Sequence, residues 1–309
     1  MYKRKLLYLT APVLIVLLLG PRPPKLLPKP LHFTLPDYLD GYLEKEESQI
    51  VGIRSGLQKK ILWVHGKKKS ARALVYIHGF SASRMEISPV VETLSQKIKA
   101  NTYFTRLSGH GIDGMALGKA TAQDWWRDTL EAYEVGNKIG DNVILIGTST
   151  GAALSILLAT EAKVAALILI SPNFQLKDYK SNIFFLPWGA KFAEILLGNE
   201  IIREPHNDAQ SRYWTTRYPT SSLTQMLAVT SAVNRIDFSL IRTPVLMIYT
   251  PYDDVIDTGF AIQKFNEFSS PNKKLVQLSE TRNHVLAGDA VSPEMSTPVI
   301  NTIYEFLTE

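Results

Sequence analysis

The chain's 309 residues carry 34 Lys and Arg against 29 Asp and Glu, and 45% of them are hydrophobic; this excludes a disordered chain and leaves enough apolar residues for a sizeable core. There is no cysteine, which excludes disulfides, thiolate metal ligands and a cysteine nucleophile. The net charge of +5 is confined to the start: residues 1–30 hold Lys3, Arg4, Lys5, Arg22, Lys25 and Lys29 and no acid, so the rest sets 28 basic residues against 29 acidic ones, and no nucleic-acid face is expected.

Residues 1–20 join the Lys3-Arg4-Lys5 cluster to an apolar run from Leu6 to Leu19, interrupted by Thr10 and Pro12. This is the layout of a signal peptide or membrane anchor. As a helix the run spans ~21 Å, short of a ~30 Å hydrocarbon core, and drawing in Tyr2 through Gly20 brings it near the lower limit. Gly20, where a cut would fall, has Leu18 two positions before it and Pro21 after it, which favours an uncleaved anchor over a removed signal. The basic cluster favours a cytoplasmic start, and so an extracytoplasmic domain; secretion after cleavage is the alternative. Pro21, Pro23, Pro24, Pro28 and Pro30 open a linker over 21–44, extended in the polyproline manner, either a stiff stalk or a plain connection.

Residues 45–309 alternate short apolar runs with amphipathic stretches, the pattern of a mostly parallel sheet flanked by helices. Gln49–Arg54 and Lys60–Val64 read as an opening antiparallel hairpin. Strands are expected at Ala73–Ile77, Asn101–Thr105, Asn142–Ile146 and Val164–Ile170, with helices at Pro89–Ile98, Gln123–Lys138 and Ala152–Glu161. Residues 174–240 then offer aromatics (Phe184, Phe185, Trp188, Phe192, Tyr213, Trp214, Tyr218) but no convincing strand, and read as a cap insertion. The sheet rhythm resumes at Val245–Tyr249, followed by a helix at Gly259–Phe268, a strand at Lys274–Leu278 and a last helix at Thr297–Leu307.

Strand Asn142–Ile146 runs directly into Gly147-Thr148-Ser149-Thr150-Gly151 and a helix. G-x-S-x-G between a strand and a helix is the setting of a nucleophile elbow, where glycines two residues either side relieve a crowded turn. A serine hydroxyl needs a base, and in this arrangement the order along the chain is Ser, acid, His. Of the six histidines only His284 follows the last strands. The loop after Val245–Tyr249 offers Asp253, Asp254 and Asp257. Asp253 is nearest the strand and is the expected acid, Asp254 is its alternate, and Asp257 is placed to cap the following helix. An oxyanion hole needs two backbone N–H donors. Thr150, after the nucleophile, supplies one, and Phe80 in His78-Gly79-Phe80 is the candidate for the other, with His78 structural.

His78-Gly79-Phe80, Ser108-Gly109-His110-Gly111, Gly147–Gly151, Asp253-Asp254-Val255-Ile256 and His284 with Gly288 resemble the monoacylglycerol lipase and bacterial carboxylesterase branch of the α/β-hydrolase superfamily. The resemblance spans about residues 45–309. It implies an eight-stranded sheet, a cap between the sixth and seventh strands, no cofactor or metal, and a structural role for Ser108–Gly111. Thr150 departs from the family in shape, which bears on acyl-pocket size.

The expected chemistry is hydrolysis of a short-chain or lipid-like ester by Ser149, His284 and Asp253. Two alternatives stay open. A peptidase or amidase of the same fold would use an acidic anchor in the cap, for which Glu194, Glu200 and Glu204 are available. A membrane-tethered binding protein on this fold would use no chemistry at all.

Overall fold

The computed structural model describes residues 19–30 and 33–309; the anchor or signal reading of residues 1–20 lies, up to residue 18, outside them. In chain order the strands are β1 (Lys60–Leu62), β2 (Ser70–Ile77), β3 (Asn101–Phe104), β4 (Gly140–Thr148), β5 (Ala166–Ile170), β6 (Glu200–Ile202), β7 (Arg217–Pro219), β8 (Val245–Tyr249) and β9 (Lys273–Gln277). Seven of them form one sheet in the order β1-β3-β2-β4-β5-β8-β9. All its neighbours pair parallel except β1, which runs antiparallel to β3. The longest register, Ser70↔Gly140 to Ile77↔Gly147, joins β2 to β4 at the centre.

Continuous apolar runs make these strands because both faces are covered. Ala73, Val75 and Ile77 enter one core layer with helices Ala122–Ile139, Thr150–Glu161 and Ser222–Val233. Leu74 and Tyr76 enter the other with Val90–Ile98 and Ser296–Thr308. Because the central strands share one direction, the loops after β2, β4, β5, β8 and β9 gather at one edge, where ligands bind in open α/β sheets.

Three expectations are corrected. Gln49–Arg54 is not a strand, so the main sheet has seven strands rather than eight among the described residues, and the cap falls between its fifth and sixth. Gly52 has a φ of 87°, and Arg54 is drawn away by its guanidinium, which donates to the carbonyls of Arg212 (2.8 Å) and Trp214 (2.9 Å). The body also begins earlier than residue 45. Helix Leu39–Ser48 starts inside the expected linker and runs across its end, buries Leu39 and Leu43, and is pinned by Glu47, which takes a bidentate, buried ion pair from Arg106. The Pro-rich stretch 21–30 forms neither helix nor strand, and it is not detached: Leu26 is fully buried, and the Lys29 carbonyl accepts from Trp126 Nε1 at 2.9 Å. Finally, the cap holds the short antiparallel pair β6–β7. Three-residue strands leave no periodicity to read.

Candidate active site

β4 ends at Thr148 and helix Thr150–Glu161 begins at the second residue after it, so Ser149 alone makes the turn. Its φ of 54° and ψ of −115° are sparsely populated, at a cost on the order of 1–3 kcal/mol for a side-chain-bearing residue. The surroundings over-determine this conformation. Ser149 N–H donates to the Ile170 carbonyl (2.9 Å), and Asn173 N–H donates to the Ser149 carbonyl (3.1 Å). A Cβ on Gly151 would run into the Ile77 carbonyl oxygen, and one on Gly147 would come within 2.6 Å of the Ala152 backbone. Both positions therefore require glycine for close approach. Ser149 is 7% exposed and stands at the N-terminus of an apolar helix, whose first amides and dipole favour negative charge there.

The loops after β8 and β9 bring Asp253 and His284 together. His284 Nδ1 donates to Asp253 Oδ2 at 2.7 Å, and the other carboxylate oxygen accepts the N–H groups of Val255 (2.8 Å) and Ile256 (3.0 Å). Burial alone pushes the Asp253 carboxyl up, but the His284 hydrogen bond and charge, with those two N–H groups, outweigh it and hold the carboxyl below its ordinary value. A carboxylate on Nδ1 leaves Nε2 as the basic nitrogen. Nε2 is buried with no hydrogen-bond partner among the described residues; it makes no bond to the Ser149 hydroxyl, and such contacts commonly close only when substrate binds. Asp254 is exposed, while Asp257 Oδ1 caps helix Thr258–Asn266 by accepting from Phe260 N–H.

The loop after β2 supplies the other side. Phe80 N–H and Thr150 N–H have no acceptor among the described residues, as two donors to a developing oxyanion must. The Thr150 hydroxyl is likewise buried without a partner. His78 is fully buried; its Nε2 accepts from Leu107 N–H (3.1 Å) and its Nδ1 faces the Gly79 carbonyl (2.9 Å). Burial drives its pKa down to about 4, so it is a neutral strut. His110 does the same one loop over, its Nε2 accepting from Ser81 N–H at 3.0 Å. The two rings lie 4.9 Å apart and tie Ser108–Gly111 to the candidate oxyanion loop.

Sequence reasoning missed Glu86. It is 2% exposed, and its Oε2 accepts from Gly79 N–H and from the Tyr76 hydroxyl, both at 2.8 Å. Tyr76 in turn meets Thr148 Oγ1 at 3.1 Å. A Cβ built on Gly79 would lie 2.8 Å from Glu86 Oε1 and 3.3 Å from Ser149 Cβ, so this carboxyl underlies both the elbow and the candidate oxyanion loop. Burial raises its pKa to about 7, against the pull of the Gly79 and Tyr76 bonds and the charge of His284. Nothing in the residue pattern singles out a glutamate in an irregular loop; the signal is three-dimensional. No group of three or more His, Asp or Glu suited to holding a metal occurs among the described residues.

Residues 68–290 match the family described as serine aminopeptidase, S33. A carboxylesterase of Bacillus subtilis (strain 168) is 20% identical over 246 residues, 78% of this chain and 94% of the relative. Among solved structures, the fold is shared with a metagenome-derived lipolytic enzyme of the LipS and LipT pair (TM-score 0.67, 16% identity, 83% of this chain and 100% of that one). It is shared as well with the monoacylglycerol lipase of Paleococcus ferrophilus (TM-score 0.61, 15% identity, 81% and 98%).

Proposed function

The chain belongs to the serine aminopeptidase, S33 family of α/β hydrolases, and on that premise we propose that it cleaves carboxylic esters through an acyl-enzyme on Ser149. The observation that carries this reading is a strained serine on a strand-to-helix turn with an Asp-paired histidine on a neighbouring loop. In the reaction, Ser149 Oγ attacks the ester carbonyl while His284 Nε2 takes its proton. The tetrahedral oxyanion lies toward the N–H groups of Phe80 and Thr150. Its collapse breaks the bond to the leaving alcohol, which receives the proton from His284, and water then enters by the same steps in reverse roles. Asp253 keeps the imidazole in its Nδ1–H tautomer and stabilises the imidazolium.

The ester reading is preferred because the Bacillus relative is named a carboxylesterase and because none of the three cap glutamates is a buried, unpaired acid. Glu194 is paired with Lys191 and Glu200 with Arg217, while Glu204 is exposed. The family's description as aminopeptidases supports amide cleavage as the second reading. The N-terminal segment adds a location: attachment of residues 1–20 to a membrane, with the catalytic domain on the extracytoplasmic side and residues 174–240 acting as a cap.

The test is hydrolysis of a series of p-nitrophenyl esters by wild type and by Ser149→Ala. The variant is expected to lose turnover by ~10³-fold or more while its circular dichroism stays unchanged. Turnover at the wild-type rate by the folded variant would remove the assignment.

A further inference from the structure

The cap presents apolar side chains to the outside in a pattern that packing does not explain. Helix Gly189–Leu197 reads Gly-Ala-Lys-Phe-Ala-Glu-Ile-Leu-Leu, and only Gly189 and Ala193 are buried. Phe192, Ile195 and Leu196 stand at i, i+3 and i+4, on one face, and Ile195 and Leu196 are 78% and 71% exposed. Its two charges cancel, since Lys191 pairs with Glu194 at 2.7 Å. Phe185, Leu186 and Leu197 are exposed beside it. Contiguous apolar surface of this kind marks a binding face.

What covers it is indicated by where the chain arrives. Trp188, the residue before this helix, donates its N–H to the Pro21 carbonyl at 2.9 Å, and its indole lies where a Cβ on Gly20 would fall. The chain thus reaches the body at the start of the apolar helix, which is only ~13 Å long at ~1.5 Å per residue. Immediately upstream lie residues 1–18, with Lys3-Arg4-Lys5 followed by an apolar run, and Leu19 at the junction is 79% exposed. No slack follows. Leu26 is fully buried, its carbonyl accepts from Arg235 at 3.0 Å, and Lys29 is held by Trp126. Arg22 and Lys25 are exposed and line a crevice with Phe185, which puts cations at the rim of the apolar face. An apolar face with a basic rim, on a chain whose sequence upstream of Leu19 is basic and then apolar, matches an anionic lipid surface. A second copy of the chain would account for the apolar face but for neither the rim nor the point of arrival.

We propose that the cap face formed by Phe185, Leu186, Phe192, Ile195, Leu196 and Leu197 rests on an anionic lipid bilayer, so that the catalytic domain lies cap-down on the membrane instead of standing off on a stalk. This rests on the membrane attachment proposed above and adds an orientation to it.

The absence of native cysteine makes the orientation measurable. Leu196→Cys and, at the opposite edge of the sheet, the exposed Asp141→Cys are each labelled with an environment-sensitive fluorophore in the full chain. Both are mixed with vesicles of phosphatidylcholine and phosphatidylglycerol, some carrying spin-labelled acyl tails. The label at 196 is expected to shift to the blue and to be quenched several-fold more than the label at 141. Equal quenching at the two positions on vesicle-bound protein would overturn the proposal. So would shielding of position 196 without vesicles together with cross-linking into dimers, which would assign the face to a second copy. Absence of vesicle binding would end both the attachment and the orientation. Short-ester turnover by the same labelled samples reports separately on the hydrolase reading.

Discussion

Around Ser149 the chain is held from several sides at once. Ile170 and Asn173 fix its backbone, Gly147 and Gly151 leave no room for a Cβ, and Glu86 anchors the loop opposite through Gly79. The outer cap differs in kind. Its helix Gly189–Leu197 buries only two small residues, and the β6–β7 pair has three residues a side. The contrast teaches where the molecule spends stability: strain at the elbow persists because many contacts oppose its relaxation, whereas the outer cap surface is free to serve contacts outside the chain.

Changes at the sheet edge should therefore be costly and changes on the outer cap cheap. The largest effect is expected from Asp253→Asn, which presents an amide donor to Nδ1 and favours the wrong imidazole tautomer; turnover should fall by ~10³–10⁴-fold in steady-state assays on p-nitrophenyl esters. A next step down is Gly151→Ala, whose new methyl would meet the Ile77 carbonyl and should lower unfolding stability by about 3 kcal/mol in a denaturant titration. Ile195→Ser, on the exposed face, should shift the same titration by under about 0.5 kcal/mol. If these two variants lost equal stability, the contrast between edge and cap would be void.

Glu86→Gln sharpens the comparison through pH. Burial holds the native carboxyl at about 7, above its ordinary value of 4.5. Between those values the folded state binds more protons than the unfolded one. The stabilising contribution of this group is thus complete below about pH 4.5 and is lost as pH rises through about 7, a change on the order of 3 kcal/mol. The glutamine variant keeps an acceptor for Gly79 and Tyr76 but lacks this slope, so its stability relative to wild type should climb across that window. Its activity should behave in the opposite sense. Above pH 7 the wild-type carboxylate favours charge on His284, and the variant should lose about tenfold in kcat/KM, with little loss below pH 6. Parallel pH profiles for the two proteins would leave Glu86 a purely steric support.

What could be read from residues alone followed from how local the physical cause is. The elbow was legible because the glycines that its turn requires lie two positions from Ser149 in the chain. Asp253 and His284 stood out through chain order and their position after strands, and the structure sets them 2.7 Å apart. Glu86 was invisible because its importance comes from Tyr76 on β2 and Gly79 in the loop after it, both of which donate to its carboxylate. Ile50, Val51 and Ile53 gave Gln49–Arg54 the look of a strand, yet a left-handed Gly52 and distant carbonyls that capture Arg54 make it a turn. Helix Leu39–Ser48 was obscured by the prolines before it, although Leu39 and Leu43 at i and i+4 mark its buried face.

The most direct test of a reactive hydroxyl at position 149 is labelling of the intact protein with a fluorophosphonate, followed by mass mapping of the modified peptide. One adduct on Ser149, absent from Ser149→Ala and strongly slowed in Asp253→Asn, is the expected result. A folded protein that takes no label, or takes it on another residue, would contradict the account.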